Sequence, residues 1–374
     1  MALQWLPPTG GSYMVGRGSA FAPFRCMKIL VLTVLAGTVA LAQTSVERGA
    51  TGEPAAPKVT AASDVVATQV TLDRAGFSPG AIDGRAGANL KRAIAAFQRA
   101  NGIPESGQLD QQTRQRLDDT AAGQPALVEY LIRDADVSGP FSPDIPADLV
   151  AQSKLESLGY QNALEAVAER FHASPGWLEQ VNPAFSLRPG ERILVPNVEP
   201  FELPQPPEAA AQAGRGRSGQ PSGNGGRGRG GNAKEATSAV TIAVTKSTSS
   251  LTVEDGSGRV LFHAPVTTGS ARDPLPIGTW KVTGVHVLPP FQYNPDLFWD
   301  ANPSHSKATI KPGPNNPVGV AWIDLSKEHY GIHGTPEPSR IGHTQSHGCV
   351  RLTNWDVQRV LKWAQPGTTV VFRE

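Results

Sequence analysis

The sequence predicts a multidomain protein with a mainly-β C-terminal domain, preceded by a small three-helix domain and an α+β segment. A length of 374 residues is enough for two or three domains that each bury a core. The 39 glycines and 33 prolines indicate loops and linkers between modest domains. The spacing of apolar residues changes along the chain from helical to alternating. The net charge of +1 gives no electrostatic reason to expect a nucleic-acid or membrane-surface partner.

The N-terminal 42 residues are predicted to be a signal peptide region. Lys28 precedes an apolar run over residues 29–42, which ends in the Ala-Leu-Ala pattern of a cleavage site. This run is too short to cross a bilayer, and a buried helix or an N-terminal anchor is the alternative. Met27 directly precedes the pattern and is a better initiator than Met1. We therefore expect an exported protein of the periplasm or cell wall, with no transmembrane span in the mature chain.

Residues 63–119 are predicted to form a small helical domain. Residues 65–72 are amphipathic, GFSPGAIDG forms a turn, and the next segment places Leu90 and Phe97 on one helical face. Asp110 is a favourable N-cap for a third helix, DQQTRQRLDD. The combined pattern resembles a peptidoglycan-binding-domain-1 module. A generic three-helix domain is the alternative.

Residues 127–198 are predicted to be an α+β segment. It contains two short helices, an Asn-Pro turn and a Pro-Gly turn that leads into the strand RILVP. Its second half resembles a LysM repeat, and the matching positions are Ser174, Leu178, Asn182, Gly190 and Pro196. The first half, YLIRDADVSGPF, lacks the usual Gly-Asp-Thr-Leu, so a structural spacer is the alternative to glycan binding.

Residues 199–237 are predicted to be a flexible linker. The segment has almost no bulky apolar side chains to offset the entropy lost on ordering. Its Arg-Gly repeats also occur in RNA-binding segments. Because the protein is expected to be exported, RNA binding is a poor interpretation, and no nucleic-acid partner is expected. The linker is expected to tether a wall-binding N-terminal unit to the C-terminal domain.

Residues 238–374 are predicted to be mainly β-structure. Strand-forming residues alternate with turn residues in AVTIAVTKSTSSLTVEDGSGRVLF, GTWKVTGVHVL and GTTVVFRE, with one amphipathic helix in TNWDVQRVLKWAQPG. Short strands at regular spacing indicate a sandwich or barrel. A long loop over residues 287–317 carries several aromatic side chains, which either line a substrate groove or pack in the core.

A histidine- and cysteine-containing stretch, IHGTPEPSRIGHTQSHGCVRLTN, occupies residues 332–354 and holds three of the eight histidines. Cleavage of the signal region would remove Cys26 and leave Cys349 with no partner for an internal disulfide. Such a stretch fits a metal site, a cysteine nucleophile with a histidine base, or a buried cysteine with incidental histidines.

The nucleophile reading fits the stretch better than a metal site. His343 and His347 have the H-x3-H spacing of a zinc site, but GHTQSHGC contains two glycines and has no helical periodicity. A thiol with a pKa of about 8.5 needs a base, and the segment between His333 and Cys349 is long enough for a loop to bring them together. Gly348 permits a sharp turn and a close approach of substrate. No metal is expected.

At these residues the sequence resembles the L,D-transpeptidase family, with its YkuD-type catalytic domain. The signature IHGT…IG…SHGCVRL is accompanied by PLPIGTWKV, GPNNPVGVAWIDL and PGTTV in family order across residues 238–374. The resemblance implies a β-sandwich-like domain that acts on peptidoglycan stem peptides and needs no metal or organic cofactor. It also implies that carbapenems acylate the cysteine.

The resemblance assigns catalytic roles to individual residues. Cys349 would be the nucleophile and His333 its general base, oriented by the main-chain carbonyl of Gly334. The backbone amides of His347, Gly348 and Cys349 would form the oxyanion hole.

The resemblance also assigns residues that bind substrate or hold the site together. Arg351 would bind the carboxylate of the donor peptide, Ser346 would shape the loop with His347, and Asn354 would brace the turn that follows. The histidines without a role are expected at the surface or in loops, and they are His263, His286, His305, His329 and His343.

The implied reaction is acyl transfer through a thioester, which cross-links or remodels the cell wall. The same site would be an L,D-carboxypeptidase if water were the acceptor. A non-catalytic cell-wall-binding protein and a zinc-dependent wall hydrolase are the alternatives from other classes.

Overall fold

The computed structural model describes residues 63–204 and 240–374. The predicted signal region, residues 1–42, and most of the predicted linker lie outside these ranges. Within the described residues, no helix is both long and apolar enough to cross a membrane.

Three helices open the described chain, and they are α1 (Asp64–Arg74), α2 (Ala88–Ala100) and α3 (Gln111–Ala121). Side-chain caps define two of the helix starts. Ser63 Oγ accepts a hydrogen bond from Val66 N at 3.3 Å, and Asp110 Oδ1 accepts one from Thr113 N at 2.8 Å. The apolar faces of the helices meet in one core, whose buried residues include Leu72, Leu90, Ile94, Phe97 and Leu117.

The α+β segment follows, and its elements are β1 (Leu127–Leu131), α4 (Asp134–Val137), α5 (Leu149–Gln152), α6 (Ala163–Arg170), α7 (Pro175–Val181) and β2 (Arg192–Pro196). The two strands pair antiparallel, with Val128 opposite Val195. Helices α6 and α7 pack on this pair around the fully buried Leu178. The short helices α4 and α5 lie between β1 and α6. The spacing of apolar residues did not predict them.

The C-terminal part contains ten strands and one α-helix in the described residues. The strands are β3 (Thr241–Thr245), β4 (Ser250–Glu254), β5 (Val260–Pro265), β6 (Gly278–Val287), β7 (Phe291–Tyr293), β8 (Ala308–Ile310), β9 (Ala321–Leu325), β10 (Gly331–His333), β11 (Val350–Arg351) and β12 (Thr369–Arg373). The helix is α8 (Asn354–Val360). Eight strands form one sheet in the order β11-β10-β9-β6-β12-β3-β4-β5, and β7 pairs with β8 separately.

Strand β6 connects the two halves of the large sheet. Its first part pairs with β12 and its second part with β9, with an irregular register between Val282 and Gly284. Ile242 of β3 and Ile332 of β10, from opposite halves, are buried in the same core together with Trp355 of α8. The mainly-β domain, with a three-helix part and an α+β part before it, confirms the predicted fold class.

The three parts are joined by buried polar contacts. Asp73 of α1 lies 2.9 Å from Arg359 of α8 and 3.1 Å from His172 of the α+β segment. Ser78 Oγ donates to Asp356 Oδ2 at 2.8 Å. The helical part therefore packs directly against α8 of the β domain, in addition to the connection along the chain.

Two sequence expectations are wrong at this junction. His263 was expected at the surface, but it is 1% exposed and its Nδ1 lies 3.2 Å from the Ser78 carbonyl. Burial lowers the pKa of His263 to about 3, so its ring is neutral. The linker was expected to begin at residue 199, but Phe201 is buried in the core of the β domain, and its N–H donates to Arg170 O at 2.7 Å. Burial of its aromatic ring offsets part of the entropy that the backbone loses on ordering.

Candidate active site

The pairing of β10 with β11 brings the predicted nucleophile and base to one place. The strands are parallel, with Ile332 opposite Val350 and His333 opposite Arg351. Cys349 directly precedes β11, and side chains two residues apart in a strand point to the same face. Cys349 and Arg351 therefore share the sheet face on which His333 lies.

The imidazole of His333 is fixed by the backbone and by an indole ring. Its Nδ1–H donates to the carbonyl of Gly334 at 2.6 Å, so the neutral ring carries its lone pair on Nε2. The ring stacks on Trp322 of β9 with centroids 5.2 Å apart and planes 10° apart. Both contacts hold the ring in one orientation, with Nε2 as the basic nitrogen.

Asn354, at the start of α8, holds the turn that contains Gly334. Its Oδ1 accepts from Val320 N at 3.1 Å, and its Nδ2 donates to Pro314 O at 3.1 Å and to Glu169 Oε1 at 2.9 Å. A β-carbon at position 334 would clash with Asn354 Oδ1, so the close approach requires glycine. Asn354 was predicted to brace the turn after the Ser346–His347 loop, and it instead lies directly against Gly334, whose carbonyl accepts from His333.

Glu169 connects this turn to the α+β segment. It lies in α6, outside the predicted catalytic domain, and it is 7% exposed. Burial raises the pKa of its carboxyl to about 8, although hydrogen bonds with Tyr160 and Asn354 oppose the shift. The Glu169 side chain is therefore a neutral carboxylic acid at neutral pH. In that form it accepts the hydrogen bond from the Asn354 amide.

The thiol of Cys349 is 8% exposed and lies among backbone groups. Its Sγ–H points to the carbonyl of His329 at 3.8 Å. Burial raises the pKa of Cys349 to about 11, against the lowering effects of the Gly331 N–H and the Arg351 charge. Burial likewise lowers the pKa of His333 well below its usual value, and the charge of Arg351 lowers it further. Thiol and imidazole are therefore both neutral at pH 7.

Ser346 organises the loop that leads to Cys349. Its Oγ donates to Cys349 O at 2.6 Å and accepts from Gly348 N at 3.2 Å. Gly348 has φ +117°, and a β-carbon there would lie 2.6 Å from Tyr330 Cε1. The predicted oxyanion donor at Gly348 is thus engaged by the Ser346 hydroxyl, while the glycine itself is required by backbone conformation and by the tyrosine ring.

His347 faces the long aromatic loop. Its Nε2 lies 3.3 Å from Asp300 Oδ2, and its ring lies 5.3 Å from that of Trp299. Burial lowers the pKa of His347, while Asp300 and Asp273 act in the opposite direction. Of the two predicted alternatives for this loop, core packing holds for Phe298, which is buried in a cluster with Cys349, whereas Trp299 is 49% exposed.

Several residues around the site were not found by sequence reasoning. Tyr330 covers Gly348, Trp322 stacks on His333, and Asp273 accepts from Trp299 Nε1 at 2.9 Å. Trp322 stands in a stretch of family-like sequence, but only the register of β9 against β10 puts it opposite His333. Glu169 lies 185 residues from Asn354, and no local pattern connects the two.

The H-x3-H pair does not converge in the structure. His343 is exposed and lines a groove with Thr268 and Gln345, whereas His347 contacts Asp300. Across residues 63–204 and 240–374, no group of three or more His, Cys, Asp or Glu side chains is arranged to hold a metal ion.

Comparisons with known proteins agree with the two main resemblances. Residues 239–372 match the family model for the L,D-transpeptidase catalytic domain (YkuD). Residues 61–117 match the model described as "putative peptidoglycan binding domain". These two resemblances are therefore confirmed, and residues 239–372 are similar to an L,D-transpeptidase catalytic domain. The LysM resemblance of residues 127–198 stays a prediction.

Individual relatives cover only parts of the chain. A Bacillus licheniformis protein described as "putative L,D-transpeptidase YkuD" is 48% identical over 60 residues, which are 16% of this chain and 36% of that protein. "Putative L,D-transpeptidase YqjB" of Bacillus subtilis is 30% identical over 115 residues, 29% of this chain and 57% of the relative. The structure of L,D-transpeptidase 3 from Mycobacterium tuberculosis with a faropenem-derived adduct has 16% identity and a TM-score of 0.31, and the match covers 37% of this chain and 61% of that one.

Proposed function

We propose that this protein is a cysteine-dependent L,D-transpeptidase that acts on peptidoglycan stem peptides through a thioester and cross-links or remodels the cell wall. The observation that carries the proposal is the position of His333 opposite Arg351, with Cys349 in the same buried cluster as Trp322, on which the His333 ring stacks. The Gly334 carbonyl holds that ring. A free cysteine beside an oriented imidazole has no use in binding alone. The catalytic family model, which spans residues 239–372, supports the same reaction class.

The first half of the reaction would begin from a neutral pair. As the sulfur of Cys349 attacks the carbonyl carbon that follows the L-centre of the donor's diamino acid, Nε2 of His333 takes the thiol proton. The C–N bond of the tetrahedral intermediate then breaks, and the imidazolium returns the proton to the amine of the departing D-alanine. The product is a thioester on Cys349.

The second half would regenerate the thiol. An amine of a second stem peptide attacks the thioester carbonyl while His333 removes a proton from it, and the sulfur leaves as thiol when that proton is returned. Water in place of the amine makes the same site an L,D-carboxypeptidase, which is the alternative activity of this mechanism.

Arg351 and the backbone N–H groups of the loop before it would stabilise negative charge on the sulfur and on the carbonyl oxygen of the substrate. Arg351 is 7% exposed and its charge lowers the pKa of Cys349, which favours sulfur as a nucleophile and a leaving group. We assign it the donor carboxylate, because a guanidinium binds a carboxylate through two parallel hydrogen bonds. The N–H groups of His347 and Cys349 are the oxyanion donors, and Gly348 N–H joins them if the Ser346 hydroxyl rotates away.

Partners and location follow from the same proposal. The helical part would bind peptidoglycan, in accord with the family model over residues 61–117, and the substrate implies an exported protein of the periplasm or cell wall. Carbapenems would acylate Cys349, since a strained β-lactam carbonyl is an electrophile for the same thiol. No nucleic-acid partner is proposed.

Intact-mass measurement after incubation with a carbapenem tests the proposal. Wild-type protein purified without metal should gain one adduct, mapped to Cys349, and Cys349→Ala should gain none. The same preparations are then incubated with muropeptides, whose products identify the acceptor. Absence of both adduct and muropeptide turnover in folded wild type would favour the non-catalytic wall-binding alternative, and an activity that requires stoichiometric zinc would favour a hydrolase.

A further inference from the structure

The phenol of Tyr330 has no role in the proposed mechanism, yet it lies beside the reacting thiol. Tyr330 directly precedes β10 and stands between two residues whose backbones contact the sulfur of Cys349. The His329 carbonyl lies 3.8 Å from Cys349 Sγ, and the Gly331 N–H forms a hydrogen bond with the same sulfur. The side chain of Tyr330 therefore originates next to the nucleophile.

The loop before Cys349 packs directly on the ring of Tyr330. A β-carbon at position 348 would lie 2.6 Å from Tyr330 Cε1, 3.2 Å from its Cζ and 3.3 Å from its phenol oxygen. The edge of the ring that carries the hydroxyl therefore faces the backbone between His347 and Cys349. The N–H groups of this same backbone are the proposed oxyanion donors.

The hydroxyl of Tyr330 is available to a substrate. Among the described residues it has no hydrogen-bond partner, and the side chain is only half-buried. Burial raises the pKa of Tyr330, and the charges of Cys349 and Asp273 raise it further, so the phenol keeps its proton at neutral pH. Lys327 Nζ lies over the ring, 5.8 Å from its centroid, and restrains it. The phenol is thus a positioned donor.

One of the backbone donors near the thiol is already engaged. Gly348 N–H donates to Ser346 Oγ at 3.2 Å, and that hydroxyl is itself held by its hydrogen bond to Cys349 O at 2.6 Å. The Cys349 N–H, by contrast, has no acceptor in the part of the chain that the structure describes. Donors aimed at the developing charge are usually the largest contribution to acyl transfer. A phenol at this place would take over the task of the Gly348 N–H.

We propose that Tyr330 is a further catalytic residue, whose O–H donates to the carbonyl oxygen of the substrate as that oxygen becomes an anion. The assignment rests on the proposed acyl transfer. When the Cys349 sulfur bonds to the carbonyl carbon, the π pair of the C=O bond moves onto oxygen and His333 takes the thiol proton. When the C–N bond breaks, the electron pair returns from oxygen to re-form the carbonyl, and His333 gives its proton to the nitrogen. Tyr330 keeps its own proton throughout.

The test compares two reactions of the same thiol in full-length wild type and Tyr330→Phe. Phenylalanine keeps the ring that packs on Gly348 and removes only the hydroxyl, so a role in packing alone predicts no change. Acylation by a carbapenem passes through an oxyanion. Alkylation by iodoacetamide is a displacement at a methylene carbon and forms no oxyanion, so it reports on the thiol without the proposed donor.

Tyr330→Phe should be acylated about 10²-fold more slowly than wild type, the usual loss for one oxyanion donor, and should be alkylated at the wild-type rate. With muropeptides kcat should fall while KM changes little, because the hydrogen bond strengthens only in the transition state. Tyr130→Phe is the matched control. It removes a phenol that donates to Asp136 Oδ2 at 2.6 Å in the α+β segment, and it should be acylated like wild type.

Two results would overturn the assignment. Equal acylation rates for Tyr330→Phe and wild type would mean that the hydroxyl does not reach the oxyanion. Equal slowing of acylation and alkylation would mean that it acts on the thiol instead. Thermal melting of each variant separates a loss of rate from a loss of fold. Failure of the proposed function is distinct, because it would appear as the absence of a Cys349 adduct in wild type itself.

Discussion

The cluster around Cys349 and the Asp73–Arg359 pair at the junction of the three parts are both buried, but their ionisable groups are in opposite states. At the cluster, burial raises the pKa of Cys349 to about 11 and lowers that of His333, so both groups are neutral. At the junction, burial tends to raise the pKa of Asp73, yet Arg359 and His172 outweigh it and the net shift is downward. Direct contact keeps Asp73 and Arg359 charged, whereas burial keeps Cys349 and His333 neutral.

The largest expected effect tests whether the neutral pair needs its base. His333→Ala should slow acylation of Cys349 by a carbapenem by about 10²–10⁴-fold, because no other group takes the thiol proton. Stopped-flow measurement of β-lactam opening gives the rate. His286→Ala is the control, since His286 is exposed and pairs with Asp324 at 2.7 Å, and it should react like wild type. Equal rates for His333→Ala and wild type would remove His333 from the mechanism.

The next effect tests the charged pair. Arg359→Ala should lower the free energy of unfolding by about 3–5 kcal/mol, because it leaves the carboxylate of Asp73 buried and without its main counter-charge. Urea denaturation measures the change. Arg373→Ala removes a partly exposed contact to Glu254 at 3.0 Å and should cost at most about 1 kcal/mol. Similar losses for both variants would mean that the junction is not a buried charged network.

The pH dependence of this junction has a definite sign. A carboxyl whose pKa is depressed in the folded state adds stability above its unfolded pKa of about 4, and that stability is lost as pH falls. Asp73 has such a depressed pKa. The wild type should therefore lose stability in acid, and Arg359→Ala should lose less, since its Asp73 is no longer stabilised as an anion.

A smaller effect tests the neutral state of the thiol directly. With a pKa of about 11, Cys349 should alkylate with iodoacetamide at least about tenfold more slowly at pH 7 than a free thiol of pKa about 8.5. The rate should still rise above pH 9, because the thiolate fraction continues to grow. Mass spectrometry follows the modification. A rate that is already constant between about pH 6 and 8 would indicate a preformed thiolate–imidazolium pair instead.

The smallest effect tests how the α+β segment supports the base. Glu169→Ala removes the acceptor of the Asn354 amide and should slow carbapenem acylation by roughly tenfold, since one lost hydrogen bond to a buried group costs about 1–3 kcal/mol. Glu169→Gln keeps an acceptor and the neutral charge, so it should restore the rate at neutral pH. If Glu169→Gln is as slow as Glu169→Ala, the contact does not position the turn at Gly334.

The sequence allowed the local elements and the chemistry of the motif to be predicted well. Apolar spacing and caps predicted α1, α2 and α3, because these depend on neighbours within a few residues. The sequence predicted the site residues of the motif itself but not Tyr330 or Trp322, and the contact of His333 with the Gly334 carbonyl is compatible with the role assigned to that pair. Those roles themselves remain proposals.

The sequence alone determined helices α1–α3 and α8 and strands β3–β6 and β12, but not α4, α5, β7 or β8. It also determined which residues have the chemistry of a nucleophile, a base and an anion ligand. Those properties belong to single residues and to short-range periodicity. Only the tertiary structure decided that His263 and Phe201 are buried, that Trp322 stacks on His333, and that Glu169 reaches Asn354. Each of these depends on strand register or on packing between distant segments. The tertiary structure also decided the protonation states of Cys349 and His333, because these follow from burial. Burial depends on the packing of distant segments.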